Sequence, residues 1–118
     1  MKIAEIKDLL GAELLCGEDC LDHDVESACC SDMMSDVLAY VKDQGVLITG
    51  LVNPQVIRTA EMMDMRCVVF VRAKKPSEAM LELARESGIV VLTSKFRMYE
   101  ACGVLYASGL NTLRPTNE

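Results

Sequence analysis

The sequence predicts an α/β domain: a mostly parallel sheet of about five strands with helices on both faces. Three observations carry this. Residues 46–49 (VLIT), 67–71 (CVVFV) and 89–93 (IVVLT) are continuously apolar and β-rich, as strands buried on both faces are. Segments of about ten residues at helical spacing lie between them. Strands alternating with such helices imply right-handed crossovers in a parallel sheet. The chain is 118 residues long and 51% hydrophobic, enough for one core and too apolar for a disordered chain.

The elements follow in order. Residues 2–10 (KIAEIKDLL) place Ile3, Ile6, Leu9 and Leu10 at helical spacing, and Gly11 stops that helix. Residues 13–16 form a short apolar strand. Residues 17–24 (GEDCLDHD) form a polar loop, and 25–30 a second strand. Ser35 is placed to cap a helix through Val41 that stops near Gly45. The strand 46–49 leads into a helix over 54–64, with Asn53 as its N-cap and Pro54 at its first position. A helix over 77–87 begins at Pro76 and ends before Gly88. The last helix covers 95–107 and is interrupted by Gly103. Residues 1–110 thus form a single domain, and 111–118 (NTLRPTNE) a polar C-terminal tail.

Charge narrows the function. The net charge is −6, which argues against nucleic acid, whose phosphates are met by clustered Lys and Arg. No apolar run approaches the roughly 18 residues that span a bilayer. Glu5 and Asp8 interrupt the first ten residues, so a signal-peptide core is missing and the expected location is the cytoplasm. There the six cysteines read as reduced thiols. Cys16, Cys20, His23, Cys29 and Cys30 lie close in sequence but lack metal-ligand spacing. No metal and no cofactor are expected.

In a parallel sheet, ligands bind beyond the carboxyl ends of the strands. Four loops are predicted to meet there, carrying Ser31-Asp32, then Gly50 with Asn53, then Arg72 to Lys75, then Thr93 to Lys95. The candidate ligand-binding set is Gly50, Asn53, Arg72, Lys74, Lys75 and Ser94, and the ligand class is a nucleotide or another anion. Gly50 followed by Leu51-Val52 is not a phosphate-cradling loop, which needs several glycines and a Lys-Ser/Thr pair. His23, the only histidine, lies among acids, and neither Ser31 nor Ser94 has an evident base. The chain is therefore read as no enzyme, without catalytic residues.

The last helix is apolar nearly all round, and such a helix is either buried on both sides or joined to a partner. Phe96, Tyr99, Val104, Leu105 and Tyr106 are the candidate interface of a homodimer, with Gly103 permitting close approach. Methionines at 62, 63 and 65 add a second soft surface of the kind used in adaptable contacts, and a protein partner is a further candidate.

Taken in order, the helix KIAEIKDLLGAELLCGED, the stretch DVESACCSDMMSDVLAYVKDQGVLITG and the segment KKPSEAMLELARESGIVVLTS resemble the DRTGG domain family over nearly the whole chain. That family resembles the N-terminal domain of HPr kinase/phosphorylase in fold. It also occurs in phosphate acetyltransferases and beside CBS domains in some pyrophosphatases. The resemblance implies an accessory or regulatory module, often dimeric, without catalysis of its own. The chain departs from the family where its naming motifs would fall. Val52-Asn53 stand at the DR position and Val71-Arg72-Ala73 at the TGG stretch. Nothing resembles a Walker loop, and the HPr kinase active site lies in its other domain.

Overall fold

The computed structural model describes residues 1–40 and 45–110. The elements are α1 (Ile3–Leu9), β1 (Glu13–Cys16), a 3₁₀ turn (Glu18–Cys20), β2 (Ser27–Cys30), α2 (Met34–Tyr40), β3 (Gly45–Thr49), α3 (Pro54–Met62), β4 (Cys67–Phe70), α4 (Glu78–Ser87), β5 (Val90–Thr93) and α5 (Met98–Ala107). The five strands form one sheet in the order β1-β5-β4-β3-β2. Strands β2 to β5 are parallel and β1 runs antiparallel along β5. This is the α/β architecture the apolar runs predict.

The three central strands β3, β4 and β5 are buried at every residue. Alternate side chains feed two cores. Val46, Ile48, Cys67, Val69, Val90 and Leu92 pack with Ile3 and Ile6 of α1 and Ala101 and Leu105 of α5. Leu47, Val68, Phe70 and Val91 pack with Val37 of α2, Val56 and Ile57 of α3, and Met80 and Ala84 of α4. Both faces of the sheet are thereby covered, which is why these strands show no polar alternation.

Asn53 caps α3 through its side chain, which accepts the Gln55 N–H at 2.9 Å, with Pro54 at the first position. Four local readings are corrected. The Ser77 hydroxyl caps α4, accepting from the Met80 N–H, and Pro76 stands ahead of the cap. Ser35 lies inside the first turn of α2. The hydroxyl before that helix belongs to Ser31, which accepts the Met33 N–H at 2.9 Å. Strand β2 begins at Ser27, because Val25 instead exchanges backbone contacts with Met1. Helix α5 begins at Met98 and runs through Gly103 without a break. The expected tail at 111–118 and the helical reading of Val41 lie outside the described residues.

Strand β1 bulges between Leu14 and Cys16 and is followed by Gly17, whose φ is +95°. A Cβ there would stand 2.8 Å from the Val90 Cα. Only glycine fits this crossing of two backbones.

Candidate functional site at the carboxyl ends of the strands

Loops after β2, β3 and β4 converge on Gly50. The Asp32 carboxylate, just past β2, accepts the Gly50 N–H at 2.7 Å and the Thr49 hydroxyl at 3.0 Å. Thr49 in turn accepts the Leu51 N–H at 3.1 Å. The Lys74 ammonium donates to the Gly50 carbonyl at 2.8 Å. The Arg72 guanidinium lies beside Gly50, 2.7 Å from where a Cβ would be built. The cluster is thus one carboxylate and two cations around a single peptide unit.

The chain reaches this arrangement through a sharp turn after β4. Arg72 and Ala73 both have φ of +57°, a left-handed conformation that non-glycine residues adopt at some cost. Backbone hydrogen bonds hold it, from the Arg72 N–H to the Phe96 carbonyl at 2.8 Å and from the Ala73 N–H to the Ser94 carbonyl at 2.7 Å. The Thr93 hydroxyl donates to the Lys74 carbonyl at 2.6 Å. The turn sends Lys74 back across the strand ends to Gly50.

Asp32 is held below the usual carboxylate value. The Gly50 N–H is the main cause, with support from the Thr49 hydroxyl and the charges of Arg72 and Lys74, against a smaller opposing effect of burial.

The candidate ligand set divides on inspection. Gly50, Arg72 and Lys74 meet. Asn53 has its side chain engaged as the cap of α3. Lys75 pairs with Glu13 at 3.3 Å on the surface. Ser94 is only 1% exposed, and its hydroxyl is spent on the Leu10 carbonyl and the Phe96 N–H; it offers a ligand nothing. Asp32 is the member absent from the candidate set. In sequence it is one more aspartate after a strand, and nothing local marks it as the hub. His23 lies at the other, amino edge of the sheet, in a cavity of about 400 Å³ with Asp22, Asp24, Glu26 and Arg66. Among the described residues no three His, Cys, Asp or Glu side chains come together as metal ligands.

The second candidate surface is the outer face of α5. Tyr99 is 88% exposed and Tyr106 52% exposed. With Cys102, Gly103 and Val104 they line a groove of about 650 Å³. Leu105 faces the other way. At 1% exposure it is part of the sheet core, so it leaves the interface set, because a ten-residue helix on a sheet must bury one stripe. Phe96 precedes the helix and is partly exposed. The reading of six reduced thiols is corrected at one pair: Cys30 and Cys102 are joined by a disulfide.

The sequence profile of the DRTGG domain matches residues 5–108. The chain belongs to the DRTGG domain family. A solved structure shares the fold at a TM-score of 0.75 and 17% identity, over 98% of this chain and 51% of its own. It holds the CBS and DRTGG domains of the regulatory region of the Clostridium perfringens pyrophosphatase, complexed with the activator diadenosine tetraphosphate. This DRTGG chain therefore spans about half the length of that one. No curated protein matches it. No helix among the described residues is long and apolar enough to cross a membrane.

Proposed function

We propose that this DRTGG domain is a regulatory module without catalysis of its own, which works as a homodimer through the outer face of α5. The exposure of Tyr99 and Tyr106 on either side of Gly103 carries the reading. Two exposed aromatic side chains beside a groove are the kind of surface a partner covers. A two-fold pairing of identical faces is the commonest way to cover it. Membership in a family found in a pyrophosphatase's regulatory region supports the regulatory role. Hydrogen exchange at increasing protein concentration tests the interface. Protection of the exposed amides of α5 should rise with concentration, while that of α3 stays constant. Equal behaviour of the two helices would contradict the proposal.

A second reading rests on the cluster at Gly50. Two cations and the start of α3 lie at the strand ends, and the structural neighbour is complexed with a nucleotide activator. In this reading a nucleotide or another anion binds against Arg72 and Lys74. Calorimetric titration with ATP and with a dinucleoside polyphosphate tests it. Binding lost in both Arg72→Ala and Lys74→Ala supports it; binding unchanged in both, or none in the wild type, removes it.

A further inference from the structure

The alternation of β2 sets its side chains on two different surfaces. Ala28 and Cys30 are in register with Val46 and Ile48, which face α1 and α5. Cys29 is in register with Leu47 and packs toward the opposite core, under α2 and α3. Strand β2 is the sheet's edge, and its Ala28 and Cys30 are exposed. Two helices, α1 and α5, cover that face, against three on the other. At the uncovered edge the Cys30 sulfur meets the Cys102 sulfur, joining positions 72 residues apart in sequence. Cys102 also lines the groove beside Tyr99 and Tyr106.

We infer that Cys30 and Cys102 form a reversible thiol–disulfide pair that fastens α5 to the β2 edge, so that the state of this one bond sets how α5 is held on the sheet. The co-reactant is a small-molecule disulfide, such as oxidised glutathione. The Cys30 thiolate attacks one of its sulfurs, breaking that S–S bond and releasing one small thiol. The Cys102 thiolate then displaces the second small thiol from the mixed disulfide. The two protein sulfurs give up two electrons, the small disulfide takes them, and the two protein protons end on the released thiols. A small thiol in excess reverses both steps. Exposure is what makes the pair exchangeable, since attack needs access to a sulfur.

Three of the four remaining thiols compete poorly. Burial pushes Cys16, Cys29 and Cys67 toward the protonated form, and a protonated thiol is no nucleophile. Closing a loop of this length removes much of the unfolded chain's freedom. Oxidation should therefore raise the unfolding temperature by roughly 10 °C.

The test uses the full chain equilibrated in glutathione buffers from reducing to oxidising, then alkylated and digested without reduction. The expected result is loss of two of the six thiols. The peptide carrying Cys102 should be cross-linked to the one carrying Cys30, with a higher melting temperature, all reversed by dithiothreitol on the native protein. Cys29→Ser should behave as the wild type. Cys30→Ser and Cys102→Ser should keep every remaining thiol and lose the temperature shift. Six free thiols throughout, a bond through Cys29, a bond between two copies, or a cross-link that native protein does not release to reductant would each overturn the inference.

Discussion

The carboxylate of Asp32 accepts the backbone N–H of Gly50 at 2.7 Å, binding the end of β2 to the end of β3. The charges of Arg72 and Lys74 act on the same carboxylate. The strand ends thus hold one carboxylate beside two cations.

Removing that carboxylate should weaken the fold in a pH-dependent way. Asp32→Ala is expected to cost about 1 kcal/mol at neutral pH, the lower end for a hydrogen bond to a charged group because the side chain is exposed. The sign follows from the depressed value of Asp32 in the folded state. Its contribution is complete above the unfolded carboxylate value, near 3.9, and is lost as pH falls through the lower folded value. Urea titrations of wild type and Asp32→Asn should differ at pH 7 and converge as the pH drops below about 4. A gap that stays constant down to pH 2 would contradict the assignment.

Two glycines of β3 and its end should respond unequally to alanine. At Gly45 a Cβ would stand 2.5 Å from the Ser27 carbonyl oxygen, which belongs to the paired backbone of β2 and cannot move alone. Gly45→Ala is expected to cost about 2 kcal/mol, as overpacking does. At Gly50 the nearest atom is the tip of the Arg72 side chain, which can swing away. Gly50→Ala should cost less than about 1 kcal/mol. Denaturation midpoints of the two variants check the order.

Adjacent positions in α5 should separate folding from association. Leu105 belongs to the sheet core and Tyr106 to the surface. Leu105→Glu buries an unpaired charge and should abolish cooperative thermal unfolding. Tyr106→Glu should keep the wild-type circular dichroism spectrum and melt within a few degrees of it. Equal damage from both would mean that Tyr106 is a folding residue.

The architecture was legible because burial on both faces leaves a mark in composition. The all-apolar β3, β4 and β5 admit no solvent face, and the caps Asn53 and Gly88 mark helix ends by their local chemistry. What could not be read depends on long-range geometry. The antiparallel course of β1 is set by its pairing with β5 across 75 or more residues, as between Cys16 and Val91 (91 minus 16 is 75). Asp32 gains its role only because Gly50 and Lys74 fold onto the same edge. Cys30 and Cys102 meet because α5 crosses toward the β2 edge. The burial of Leu105 was hidden because α5 is apolar nearly all round, so no stripe distinguishes its inner face.

Sedimentation equilibrium at micromolar concentration tests the central claim most directly. The wild-type chain is predicted to have twice its monomer mass of 13.0 kDa, and the folded Tyr106→Glu variant the monomer mass. A wild-type chain that stays at 13.0 kDa, or a Tyr106→Glu variant that stays dimeric, would contradict a homodimer formed through α5.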